Sequence, residues 1–113
     1  MTDYKPGDVI LVPFPFGETA GGKKRPALVV SSLEYNQATG ELVIAQITGR
    51  LSAAARPGDH RIESWREANL PRPALVRCRL TTVKSSLVLR RLGELTGPDF
   101  QAARKALNVA ILN

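Results

Sequence analysis

The chain has 113 residues, of which 43% are hydrophobic, and this length and composition predict one folded domain over residues 1–113 rather than a disordered chain. No apolar run approaches the roughly 18 residues of a membrane helix, and the N-terminus lacks a signal-peptide pattern. We therefore expect a cytoplasmic protein without a membrane segment. Sixteen Lys and Arg, eleven of them arginine, against ten Asp and Glu give a net charge of +6. This excess favours a polyanionic partner, such as nucleic acid or an acidic protein segment, about as much as it favours solubility alone.

Branched apolar runs separated by turn residues predict a series of short strands. The predicted strands cover residues 8–15, 25–32, 41–48, 59–63, 74–83 and 88–95. Residues 17–24 and 49–58 are predicted loops, and residues 33–40 a connection. Pro26 fits the start of the second strand, because strand prolines sit at the first position or on an edge.

The clearest helix is predicted at the C-terminus. Thr96 can cap it, Pro98 lies in its first turn and Asp99 is at its third position. Its apolar residues share one face: Phe100, Ala103, Leu107, Ala110 and Ile111. Residues 64–68 read as a single helical turn, with Ser64 and Glu67 forming a capping box. Many short strands with one terminal helix predict a mainly β fold, built as a small, strongly bent antiparallel sheet or barrel.

Several blocks of the sequence resemble the MazF/PemK family of toxins. They are GDVILVPFPF at 7–16, KRPALVVS at 24–31 and VIAQIT at 43–48, followed by shorter matches at 57–59, 65–68, 75–77 and 90–95. The resemblance implies an SH3-like barrel of the CcdB/MazF/PemK type with a C-terminal helix, and a homodimer. It also implies sequence-selective cleavage of single-stranded RNA without a metal ion or other cofactor. The implied partner is a cognate antitoxin whose acidic, disordered tail covers the RNA groove.

RNA supplies its own nucleophile, the 2′-hydroxyl, so the protein must align it, move protons and stabilise the charge of the phosphorane. His60 is the only histidine and Cys78 the only cysteine, which excludes a histidine pair within one subunit, an intrachain disulfide and a cysteine-based metal site. Arg25 matches the arginine of the family's Arg-Pro motif. We expect it to stabilise charge, because a guanidinium hardly deprotonates.

Two further residues are candidates for the chemistry. Thr48 matches the family's threonine at the end of the third strand, and its hydroxyl could bond a phosphate oxygen. Glu18 is a candidate base, with a solvated loop carboxylate as the alternative.

The remaining candidates would bind RNA. Arg77 matches an arginine that some PemK-like members use near the phosphate. Arg79 stands where some of those members carry aspartate, a departure that argues against an Arg–Asp acid–base pair here and would make the groove more basic. Phe16 could stack an unpaired base or belong to the core. The phosphate contacts expected from the flanking loops are Lys23, Lys24, Arg50 and Arg56.

Two other functions remain open from the sequence. One is a poison of DNA gyrase, because CcdB toxins share the fold, and the other is a catalytically silent SH3-like module that binds RNA or protein. Arg25 and Thr48 argue against the gyrase poison, since nuclease chemistry requires such groups.

Overall fold

The protein is described by a computed structural model that covers residues 3–14, 23–51 and 55–112. Within these ranges six antiparallel strands form one sheet curled into a half-barrel. The strands are β1 (Asp8–Phe14), β2 (Lys23–Val29), β3 (Glu41–Thr48), β4 (His60–Arg61), β5 (Leu75–Lys84) and β6 (Arg90–Glu94). Their order across the sheet is β4-β5-β3-β2-β1-β6. Two helices, α1 (Leu33–Thr39) and α2 (Gly97–Ile111), and a 3₁₀ turn at Ser85–Leu87 complete the fold.

The predicted mainly β fold with a C-terminal helix is confirmed, and the bounds of β3 are those predicted. The prediction for β2 was wrong at both ends, because the strand begins two residues earlier and ends three residues earlier than predicted. β1 offers pairing partners as far as Lys23, which lies opposite Phe14, and this extends the strand N-terminally. Pro26 is thus the fourth residue of β2 rather than lying at its start. Its missing N–H is tolerated because the ladder between β2 and β3 has already ended there.

The predicted connection at residues 33–40 contains the helix α1. The Ser32 side chain accepts a hydrogen bond from the Tyr35 N–H, and Gly40 ends the helix with φ of 70°. Buried Asn36 fixes the helix to the N-terminal segment, because its Nδ2 donates to the Tyr4 carbonyl oxygen at 2.9 Å. Tertiary contacts of this kind stabilise a helix that is too short to be stable alone.

The sheet has an apolar core on each face. The larger one lies between the sheet, α2 and the segment around β4, and it consists of Val9, Leu28, Ala45, Ile47, Ile62, Ala68, Leu70, Ala74, Val76, Leu95, Ala103 and Leu107. The smaller one lies on the opposite face, and it consists of Tyr4, Ile10, Val12, Ala27, Val29, Leu42, Ile44 and Val83. The alternation of each strand therefore sends neighbouring residues into different cores.

Asp99 joins the start of α2 to the segment that follows β4. Its carboxylate contacts His60 Nε2 at 2.8 Å and accepts hydrogen bonds from the N–H groups of Glu63 and Ser64. Burial alone would raise the pKa of Asp99, but these hydrogen bonds together lower it. The Ser64–Glu67 capping box was wrong, since the Ser64 N–H that such a box would bind donates to Asp99. The predicted single turn is present, with the Ala68 N–H donating to the Ser64 carbonyl oxygen.

The Thr96 cap and the third helical position of Asp99 are confirmed at α2. Along the predicted apolar face of this helix, Ala103 and Leu107 are buried, whereas Ile111 is half exposed. No helix of the described ranges is both long and apolar enough to cross a bilayer.

Candidate functional site

The strands β2 and β3 pair over three residues and then separate. Their last pair is Ala27 opposite Gln46, and beyond it β2 continues beside β1 while β3 continues beside β5. Pro26 stands at the point of separation and has no N–H to extend the ladder. We call residues 25–27 and 46–48 the β2–β3 fork.

Arg25 and Thr48 lie on the two arms of this fork, each two residues beyond the last pair. Because side chains alternate along a strand, Arg25 shares a face with Ala27, and Thr48 shares that same face with Gln46. The predicted catalytic pair is therefore carried by one face of the sheet, where β2 and β3 have separated. Arg25 is exposed and Thr48 is partly buried.

The Thr48 hydroxyl oxygen already accepts a hydrogen bond from the Arg50 N–H at 3.2 Å. A hydroxyl retains its own O–H as a donor when its oxygen accepts. Thr48 can therefore donate to an anionic oxygen on the face of the fork that also carries Arg25.

The predicted phosphate contacts are exposed, but they are not equivalent. Lys23 and Lys24 belong to β2 rather than to the preceding loop, so strand alternation puts Lys23 on the face of Arg25 and Lys24 on the other. Arg50 and Arg56 are exposed in the segment between β3 and β4. Arg79 is exposed within β5, at an irregularity where residues 78 and 79 have no partner on β3.

Arg77 is buried and lies directly opposite Gln46, on the face of the fork. Its Nε and Nη2 atoms donate to the two carboxylate oxygens of Asp59, at 3.0 and 2.9 Å. The side-chain hydrogen bond from Arg77 holds the pKa of Asp59 below its usual range and raises the pKa of Arg77. The acidic partner of this arginine thus comes from the β3–β4 segment and not from position 79.

Asp59 also closes the turn that contains Arg56. The Asp59 N–H donates to the Arg56 carbonyl oxygen, and the Arg56 N–H donates to the Asp59 carboxylate. Pro57 and Gly58, with φ of 95° at the glycine, give this turn type II geometry. The ion pair with Arg77 therefore anchors the Arg56 turn to β5.

Three residues near the fork were not identified from the sequence: Gln46, Asp59 and Arg72. A Cβ placed on Gly49 would lie 3.4 Å from Arg72 Cδ, so the Arg72 side chain passes over the backbone next to Thr48. The signal for Gln46 was an amide at the sixth position of a strand whose preceding same-face residues are apolar. The prolines on both sides of Arg72 indicated an extended segment, but they did not indicate that this segment lies beside Gly49.

Two predicted residues, Phe16 and Glu18, lie outside the described residues. In the part of the chain that the structure describes, no three His, Cys, Asp or Glu side chains come together as metal ligands.

A separate groove of about 730 Å³ lies between α2 and the sheet. Its apolar lining includes Leu28, Val30, Leu80 and Ile111, and Arg104 and Lys105 contribute cationic side chains. Leu80, Ile111 and Leu112 are exposed by 39%, 50% and 83%. This groove is on the side of the larger core, away from the face that carries Arg25 and Thr48.

Comparison with known structures finds the same fold in several proteins. The endoribonuclease of a mycobacterial species in complex with its cognate antitoxin has a TM-score of 0.76 and 20% identity, covering 96% of this chain and 94% of that one. MazF from Deinococcus radiodurans has a TM-score of 0.73 and 21% identity, covering all of both chains. The Mycobacterium tuberculosis toxin MazF-mt6 has a TM-score of 0.69 and 17% identity, covering 89% and 92%. A comparison with curated proteins finds no match.

One family model matches the chain, over residues 5–111, and it describes the PemK-like, MazF-like toxins of type II toxin–antitoxin systems. The match takes in both arms of the fork, together with Arg77 and α2. The resemblance seen in the sequence blocks is confirmed, and the chain belongs to the PemK-like, MazF-like toxin family of type II toxin–antitoxin systems.

Proposed function

We propose that this protein is a sequence-selective endoribonuclease toxin that cleaves single-stranded RNA without a metal ion and is neutralised by a cognate antitoxin. The observation that carries the proposal is the β2–β3 fork, where the strand register puts Arg25 and Thr48 on one face. Family membership supports it, as do similar folds described as endoribonucleases.

The proposed reaction is attack of a substrate 2′-hydroxyl on the adjacent phosphorus. The P–O bond to the 5′ oxygen breaks, the 2′ oxygen loses its proton and the leaving 5′ oxygen gains one. Arg25 would bind the phosphate oxygens and stabilise the added negative charge, and Thr48 would donate a hydrogen bond to the same group. The product is a 2′,3′-cyclic phosphate with a free 5′-hydroxyl.

The proton acceptor must be a group other than Arg25, because a guanidinium hardly deprotonates. Asp59 is a poor base, since its carboxylate is bound by Arg77 and its pKa is lowered by that contact. Glu18 stays our candidate for this role. Glu18→Gln should then slow cleavage most strongly near neutral pH, and the difference from wild type should shrink at low pH, where a carboxylate base is protonated in the wild type as well.

Family membership favours this function over the gyrase poison and the silent binding module. Solved complexes of similar folds with antitoxins support a cognate antitoxin as partner. We propose that an acidic, disordered tail of that antitoxin covers the fork, where Lys23, Arg25 and Arg50 are exposed.

We further propose that the protein is a homodimer. The exposed apolar residues of the α2 groove support an apolar interface, because a second copy would cover Leu80, Ile111 and Leu112. Light scattering on the purified protein at micromolar concentration should give twice the mass of one chain, and Ile111→Glu should shift it toward one. A wild-type protein of single-chain mass at that concentration would contradict the dimer.

The experiment for the central proposal is incubation of the purified, antitoxin-free protein with a long mixed-sequence RNA in EDTA, followed by mapping of both fragment ends. Discrete cuts with cyclic phosphate and 5′-hydroxyl ends would support a metal-independent ribonuclease. Intact RNA with a folded protein would reject it, and inhibition of gyrase supercoiling, or RNA binding without cleavage, would then distinguish the two alternatives.

A further inference from the structure

Gln46 is the polar residue at which the smaller core gives way to the fork. On its face of β3, Leu42 and Ile44 are 0% and 2% exposed, and Gln46 and Thr48, which follow, are partly exposed. The primary amide of Gln46 therefore ends the apolar row on this face.

The residues across from Gln46 leave its amide accessible. Ala27, its partner on β2, has only a methyl group, and no further pair follows because the strands separate. Arg77, its partner on β5, has Nε and Nη2 bound to Asp59. Within the described ranges, no hydrogen bond engages the Gln46 side chain.

The position of Gln46 relative to the proposed catalytic pair fits a base contact better than a phosphate contact. Gln46 lies two residues, or about 7 Å along the strand, from Thr48. A neutral amide adds no charge for a phosphate, but it can donate and accept at once. That combination matches the edge of an unpaired base, adenine best of all.

From this arrangement we infer that Gln46 is a specificity-determining residue that reads one base beside the scissile phosphate. The inference rests on the proposed ribonuclease function. Gln46, in the last pair before β2 and β3 separate, would contact the base, whereas Arg25 and Thr48 act on the phosphate.

The test compares wild type with Gln46→Ala and Gln46→Met, and with Gln37→Ala, which removes an exposed glutamine of α1, as control. Cut sites would be mapped on mixed-sequence RNA. Cleavage rates would then be measured on the preferred site and on variants with each base changed in turn. We expect both Gln46 variants to lose discrimination at one position by about 5- to 150-fold, with the other positions unchanged. Gln37→Ala should keep the wild-type pattern.

Two results would overturn the inference while leaving the ribonuclease proposal intact. One is an unchanged base preference at every position in folded Gln46→Met. The other is a rate loss of equal size on all substrates, which would assign Gln46 to packing or to the phosphate. Failure of the wild type to cleave any RNA would instead reject the proposed function itself.

Discussion

The Arg77 guanidinium binds both carboxylate oxygens of Asp59, across 18 residues of sequence and between side chains that are 11% and 7% exposed. This pair ties the Arg56 turn to the strand that borders the fork. It therefore fixes the position of a loop that is expected to contact RNA, and it determines how much of Arg77 is available to a phosphate.

Removing the Asp59 charge should destabilise the fold in a pH-dependent way. The pKa of Asp59 is lower in the folded protein, so its contribution to the unfolding free energy is complete above the unfolded value of about 3.9 and is lost as pH falls through the folded pKa. Urea unfolding should show Asp59→Asn less stable than wild type at pH 7 and pH 5, with the difference closing below about pH 4. Asp3→Asn, at an exposed position, is the control and should have no effect. A difference of equal size at pH 3 and pH 7 would contradict this role.

Gly58 should be intolerant of any side chain. Its φ of 95° disfavours other residues, and a Cβ there would lie 2.8 Å from Cys78 Cβ and 3.0 Å from Ala110 Cβ. We expect Gly58→Ala to cost about 1–3 kcal/mol of unfolding free energy, measured by urea denaturation. Gly97→Ala is the matched control, because nothing lies within 4 Å of its Cβ position. Equal stability of the two variants would refute the turn geometry.

Lys23 and Lys24 should differ in their contribution to RNA binding. Lys23 shares the face of Arg25, whereas Lys24 points to the other side of β2. Affinity for an uncleavable 2′-O-methyl RNA would be measured by fluorescence anisotropy from about 50 to 300 mM KCl. The logarithm of the affinity should fall linearly with the logarithm of the salt concentration. Lys23→Ala should reduce the slope of that fall by about 0.7, and Lys24→Ala should change it less. The reverse ranking would place the RNA on the opposite face.

Local sequence predicted those elements whose stability is local. The branched run of β3 and the Thr96-capped α2 were both located correctly. The ends of β2 were misplaced because they depend on how far β1 runs beside it. α1 was missed because a seven-residue helix is held by Asn36, whose partner Tyr4 is 32 residues away.

In the candidate site, too, the sequence predicted individual residues but not the contacts between distant segments. Arg25 and Thr48 were identified through the resemblance, but their shared face follows from the β2–β3 register, which no local pattern encodes. The pairing of Asp59 with Arg77 could not be predicted from local sequence, because the two residues meet only when the β3–β4 segment folds back on β5. Gln46 was part of a correctly predicted strand, yet its exposure depends on where β2 turns away.

The most direct measurement is the single-turnover cleavage rate, in EDTA, of wild type, Arg25→Ala and Lys84→Ala on an RNA that contains a mapped cut site. Lys84 is exposed at the end of β5, opposite the first residue of β3, so its removal changes the net charge equally at a position away from the fork and outside the lining of the α2 groove. We predict that Arg25→Ala lowers the rate by about 10²- to 10³-fold with an unchanged circular dichroism spectrum, because charge stabilisation at the phosphate is lost, and that Lys84→Ala keeps the wild-type rate. Full activity of Arg25→Ala, or an equal loss in both variants, would contradict catalysis at the β2–β3 fork.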